Sequence, residues 1–128
     1  MNHLTDINDI EKSIGSHRLC LFYIKAPDCG VCNVMLDKVR GMAENHSKLE
    51  AFYTDIIEEP LVAGRFLVYS GPTVLLLLDG REVYRASGFI DILRQPYPAE
   101  AIIHVIKNTL LAASEVIELH NLAVLIAV

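Results

Sequence analysis

The sequence predicts a single α/β domain, and three observations carry that expectation. An almost unbroken apolar run, Leu-Cys-Leu-Phe-Tyr-Ile, fills positions 19–24, as in a strand buried on both faces. Helical spacing of apolar residues follows it, and a second strand pattern follows that, which is the order of a βαβ unit. Further on, Asp79-Gly80 separates two strand patterns, the strongest two-residue signal for an antiparallel hairpin. With 128 residues, 52% of them hydrophobic, the chain is long enough for one sizeable core without staples.

Taken in order, Ile7, Ile10 and Ile14 fall on one helical face, with Thr5 or Asp6 available as cap, so a short helix is expected over 6–14, ending at Gly15. The apolar run becomes a central, parallel strand over 19–26, stopped by Lys25, Ala26 and Pro27. Beyond Asp28, the residues Val31, Met35, Val39, Met42 and Ala43, with Cys32 and Leu36 beside them, trace the inner face of a helix that Cys29 and Cys32 open and that runs to about Asn45. A strand is expected over 49–57. Glu58-Glu59-Pro60 then forms an acidic, proline-marked start for a short helix over 61–66. After Ser70-Gly71-Pro72-Thr73 come a fully apolar strand over 74–78, the Asp79-Gly80 turn and a return strand over 81–87. A final apolar helix is expected from Ala99 to at least Leu111, with a further apolar segment over 112–128.

Composition excludes several function classes. Eleven Lys and Arg against sixteen Asp and Glu leave a net charge of −5, and no basic run offers a footprint for phosphates, so nucleic acid is not an expected partner. Glu115, Glu118, His120 and Asn121 interrupt the apolar C-terminus before it reaches the roughly 20 residues of a bilayer span, and no basic face marks a membrane-surface helix. The polar, mildly acidic start lacks the pattern of a secretory signal, so a cytoplasmic protein is expected.

Three cysteines, an odd count, make no disulfide framework, and the informative pair is Cys29 and Cys32. A C-x-x-C pair alone fits half a zinc site, a redox dithiol or two buried small residues. Position favours the dithiol: the pair follows a buried strand at a helix start, where unpaired N–H groups and the helix dipole stabilise a thiolate. Three-residue spacing brings the second sulfur within disulfide reach while leaving the first open to solvent. Cys29 is therefore expected to attack a substrate disulfide and Cys32 to resolve the mixed disulfide, with no cofactor. A zinc site would need two more ligands, and His3, His17, His46, His104 and His120 show no ligand spacing. Asn33 after Cys32 excludes the c-type haem pattern. Cys20, inside the buried strand, reads as an inert core residue, Lys25 as a solvated strand end and Tyr23 as packing.

These residues resemble the thioredoxin family over about 1–110. The resemblance rests on His3-Leu4-Thr5-Asp6 at the start, on Cys29-Gly30-Val31-Cys32, on Gly71-Pro72-Thr73 with Pro72 falling 40 positions after Cys32, and on the Asp79-Gly80 hairpin followed by Gly88. It implies a three-layer α/β/α sandwich with a mixed central sheet. It further implies a cis Pro72 beside the disulfide, Gly71 pairing with an extended peptide, and Thr73, Ser87, Gly88 and Phe89 around the same groove. Asp28, Gly30 and Val31 form the active-site turn. Protein disulfides would be the substrates and an upstream reductase the electron source.

The chain departs from the family pattern at several places. Trp is absent and Asp28 precedes Cys29, a carboxylate that opposes a thiolate there. Val31 replaces the proline between the cysteines. Tyr23 stands six positions before Cys29, where the family has a buried acid, and Ala51 near its lysine partner. The 90–97 segment is longer than the family loop and could narrow the groove. The domain is expected to span 1–111, with 112–128 an apolar extension packed on it or on a second subunit, as in a homodimer. The competing expectation is a non-catalytic binding or assembly module that dimerises through that extension.

Overall fold

The computed structural model describes residues 1–44 and 49–88. In chain order these form β1 (Asn2–His3), α1 (Ile7–Ser16), β2 (Leu19–Lys25), α2 (Cys32–Ala43), β3 (Leu49–Asp55), α3 (Leu61–Phe66), β4 (Thr73–Leu78) and β5 (Arg81–Ser87). The strands make one five-stranded sheet in the order β1-β3-β2-β4-β5. β3 runs parallel to β1 and β2, whereas β4 runs antiparallel to β2 and β5, so the sheet is mixed. The expected parallel central strand is thus parallel on one edge only, because the hairpin supplies its other neighbour.

Side-chain alternation along β2 divides the core into two halves. Leu19, Leu21 and Tyr23 pack with Met35, Leu36 and Val39 of α2 and with Val74, Leu76 and Leu78 of β4. Cys20, Phe22 and Ile24 pack with Ile10 and Ile14 of α1, Val62 and Phe66 of α3, and Phe52 of β3. Phe22 is the hub of that second half, tilted against Phe52 at 4.9 Å and edge-on to Phe66 at 5.3 Å. Both faces of β2 are therefore covered, which is why its sequence is an apolar run rather than an alternation. Each such side chain contributes about 1.5–3 kcal/mol by leaving water.

Local chemistry sets the element ends. The Asp6 carboxylate accepts from the Asn8 N–H at 2.7 Å and caps α1. α1 does not stop at Gly15, which lacks the left-handed backbone of a glycine stop. It runs on to Ser16, whose hydroxyl donates to the Lys12 carbonyl at 2.7 Å, while His17 Nδ1 lies 2.9 Å from the Ser13 carbonyl. α3 occupies the expected span: Glu59 accepts from Leu61 N–H at its start, and Leu67 takes a left-handed conformation at its end. At the hairpin Asp79 and Gly80 have φ of 50° and 80°, the two left-handed residues that a type I′ turn needs.

Other boundaries differ from expectation. Cys32 alone opens α2, with Cys29 in the preceding turn, and Val31 is exposed rather than part of the inner face. β3 ends at Asp55, where the Ile56 N–H turns to the Lys25 carbonyl at 3.0 Å. β1, two polar residues long, has no period to read; it is held by pairing with Phe52 and Tyr53 and by the Leu4 N–H on the Tyr53 carbonyl. The expected helix over 99–111, Phe89, the 90–97 segment, and the 112–128 extension with the dimer contact expected of it lie outside the described residues.

One core position is polar without reward. Thr54 is fully buried on β3 and its Oγ1 has no hydrogen-bond partner among the described residues. Thr54→Val keeps the shape and removes the orphan hydroxyl, so it is expected to stabilise the protein by about 1 kcal/mol. Thermal unfolding should show this as a Tm rise of about 3–5 °C; an unchanged or lower Tm would mean that the hydroxyl is satisfied.

Candidate active site

The site is assembled where β2 ends. Lys25 stands opposite Asp55 in the β2–β3 register, and the chain then leaves the sheet through Ala26 and Pro27. Asp28 follows with φ of 55°, a left-handed backbone that Asp tolerates better than most residues, and it is exposed. The Cys29 carbonyl accepts from the Cys32 N–H at 3.2 Å, which closes the turn through Gly30 and Val31 onto the start of α2.

Within this turn Cys29 and Cys32 form a disulfide, with Sγ–Sγ 2.12 Å and Cα–Cα 5.4 Å. The two sulfurs are not equivalent. Cys29 is half-buried in the turn, flanked by exposed Asp28 and Gly30, whereas Cys32 is 1% exposed beneath it. The helix start and its positive dipole end lie at this pair.

A second loop packs against the turn. The Gly71–Pro72 peptide bond is cis, and the Gly71 backbone comes so close to Ala26 that a Cβ on Gly71 would sit 2.6 Å from Ala26 N and 2.7 Å from Ala26 Cβ. Small residues at 26 and 71 are thus what lets the two loops touch, and Ala26 is a site residue that the sequence patterns did not single out. Thr73, opposite Ile24 in register, is buried, and its hydroxyl donates to the Ser70 carbonyl at 2.8 Å. The Gly88 N–H donates to the Pro72 carbonyl at 2.7 Å, and Gly88 has φ of 82°. The residues expected from sequence, 28–32, 71–73 and 88, therefore gather at one end of the sheet.

Tyr23 does more than pack. Fully buried on β2, it donates its hydroxyl to the Cys32 carbonyl at 2.7 Å. Burial pushes the phenol's ionisation well above the ordinary tyrosine range, so the group stays a donor. Ala51, from the neighbouring β3, packs partly buried against the same half of the core. Cys20 is on the opposite face of β2, its thiol 3.7 Å from both the Ser13 and His17 carbonyls. Burial, with Glu50 nearby adding to it, pushes that thiol up to about 12, so Cys20 is a protonated core residue.

Among the described residues no group of three or more His, Cys, Asp and Glu could hold a metal ion. No helix among them is long and apolar enough to cross a membrane. Arg85 is a support that the sequence did not reveal: from β5 its guanidinium donates to the Phe66 and Leu67 carbonyls at the end of α3. Its signal is tertiary, since the partners are distant in the chain.

No protein-family model matches the chain. The thioredoxin-like protein YdfQ of Bacillus subtilis is 31% identical over 90 residues, covering 70% of this chain and 80% of that protein. The crystal structure of Fasciola hepatica thioredoxin superposes with a TM-score of 0.64 at 31% identity, over 69% of this chain and 86% of that one. Oxidised thioredoxin of Plasmodium falciparum superposes over 85% of this chain and 97% of that one with a TM-score of 0.65; at 18% identity it speaks for the fold alone.

Proposed function

The chain belongs to the thioredoxin-like family, and on that premise we propose that it is a thiol–disulfide oxidoreductase that exchanges disulfides with protein substrates through Cys29 and Cys32. The observation that carries the reading is the unequal pair: a half-buried Cys29 bonded to a buried Cys32 at a helix start, in a turn whose Ala26 lies against Gly71 of the loop that holds Pro72. In the reduced protein the Cys29 thiolate attacks one sulfur of a substrate disulfide, and the other substrate sulfur leaves with the electron pair and takes a proton. The Cys32 thiolate then attacks Cys29 Sγ, the Cys29–substrate bond breaks, and the second substrate thiol leaves. Two electrons have passed to the substrate, and an upstream reductase must return them.

Gly71, Pro72, Thr73 and Gly88 form the substrate side of this reading. The half-buried Gly71 backbone, next to buried Pro72, is suited to pair with an extended peptide, an addition that gives affinity without demanding one sequence. Asp28, Gly30 and Val31 present the turn from which Cys29 attacks. The sulfurs themselves carry the electrons, so the chemistry calls for no cofactor.

A redox titration tests the reading. The purified protein is equilibrated in graded dithiol buffers, alkylated, and its free thiols counted by mass spectrometry. A reversible two-electron transition at Cys29 and Cys32 is expected between about −270 and −120 mV, the span of known exchange catalysts. If no reversible disulfide forms, the protein is not an oxidoreductase.

A further inference from the structure

We propose that Tyr23 is a positioning residue of the dithiol, a buried peg that holds the main chain of Cys32 so that its sulfur closes on Cys29; the proposal rests on the oxidoreductase reading above. The geometry is specific. Tyr23 is 0% exposed, packed among Met35, Leu36, Val39 and Val74, and its hydroxyl reaches the Cys32 carbonyl at 2.7 Å. A carbonyl oxygen has two lone pairs, so Cys32 can accept the phenol and still serve the helix ladder. An aromatic ring locked by packing on both sides offers a fixed donor at little entropic cost.

The anchor acts on one cysteine only. Cys29 sits in the turn over 26–31, whereas Cys32 is tied to the central strand through Tyr23. Among the described residues no carboxylate, amine or imidazole is buried; the buried polar side chains besides the cysteines and tyrosines are Thr54 and Thr73. The described residues thus supply Cys32 with a fixed position rather than with a buried base. During resolution the Cys32 thiol gives its proton to solvent, its thiolate attacks Cys29 Sγ, and the Cys29–substrate bond breaks with its electron pair on the departing sulfur. Holding the attacking sulfur near its bonded position raises the effective concentration of that step, and so favours both the rate and the equilibrium of ring closure.

The test compares wild type, Tyr23→Phe and a protein with 3-fluorotyrosine introduced at position 23. The fluorinated ring keeps the shape and makes the hydroxyl a stronger donor. Each is equilibrated in glutathione buffers, where two glutathione thiols reduce the Cys29–Cys32 bond and leave as glutathione disulfide, and each is followed by rapid alkylation during resolution of a Cys29 mixed disulfide. Tyr23→Phe is expected to weaken ring closure about threefold to tenfold, tenfold being about 30 mV toward easier reduction, and to slow resolution in parallel. The fluorinated protein should shift the opposite way. A lowered melting temperature alone does not count, since any lost buried hydrogen bond produces it. If wild type titrates and both altered proteins share its midpoint and resolution rate, the proposal is wrong. Should Tyr23→Phe fail to fold, an unshifted fluorinated protein overturns it by itself. A wild type with no reversible disulfide sinks the oxidoreductase reading, a separate and recognisable outcome.

Discussion

Cys29→Ser protein is expected to lose disulfide reductase activity by roughly 10³-fold or more, while remaining folded. A serine hydroxyl is not a nucleophile toward sulfur at neutral pH and cannot carry the electrons, and no other thiol can stand in. Cys32 is buried beneath the turn, and Cys20 lies on the other side of β2 with its thiol held protonated. Cys32→Ser is expected to behave differently. It keeps the half-buried Cys29 free to attack, so one equivalent of substrate should be captured as a stable mixed disulfide and turnover should stop there. Reduction of a model protein disulfide, with the trapped species weighed by mass spectrometry, checks both. Turnover by Cys29→Ser, or capture through Cys32 rather than Cys29, would reverse the assigned roles.

Gly71→Ala is the second substitution with a large expected effect. The added Cβ would lie 2.6 Å from the Ala26 nitrogen and 2.7 Å from the Ala26 Cβ. Neither atom belongs to a flexible side-chain end, so one loop must move by the better part of an ångström. Overpacking of this kind costs about 1–3 kcal/mol. The catalytic consequence is larger than the stability loss, because the same movement shifts Pro72 relative to Cys29. A displacement near 1 Å at such a site lowers kcat/KM by roughly 10²-fold. Gly30→Ala is the stability control, since a Cβ there meets nothing within 4 Å and the backbone is not left-handed. Thermal unfolding of both proteins and peptide-disulfide reduction by Gly71→Ala decide the matter. A Gly71→Ala protein with wild-type stability and activity would show that the loops have slack.

The strands and helices that carry strong local signals were legible in the residues. The span of α3 followed from Glu58-Glu59-Pro60, and the hairpin from Asp79-Gly80, because proline, glycine and capping side chains act within a few residues. Gly15 misled for a physical reason: glycine ends a helix only where the chain turns left-handed, and there Ser16 and His17 satisfy the last carbonyls instead. Val31 misled because its helical spacing is real while α2 begins one residue later. β1 was invisible, since two polar residues hold their place only through β3.

At the site, Cys29 and Cys32 could be named from their spacing and position, and Pro72 and Gly88 from the thioredoxin resemblance. Tyr23 was legible as packing, but its hydroxyl bond was not, because the acceptor is a main-chain atom on another element. Ala26 carried no signal until Gly71 was found against it.

What the residues determined by themselves was the alternation of strand and helix, the two-faced burial of β2, the tight hairpin and the identity of the dithiol. Each follows from periodicity, turn chemistry or spacing, and these act over a few neighbouring residues. Tertiary structure alone decided the strand order β1-β3-β2-β4-β5, the inequality of the two sulfurs, the contact between Ala26 and Gly71 and the tie from Tyr23 to Cys32. Those depend on which surfaces meet once the sheet has closed around its core, and a contact between elements distant in the chain has no local period to announce it.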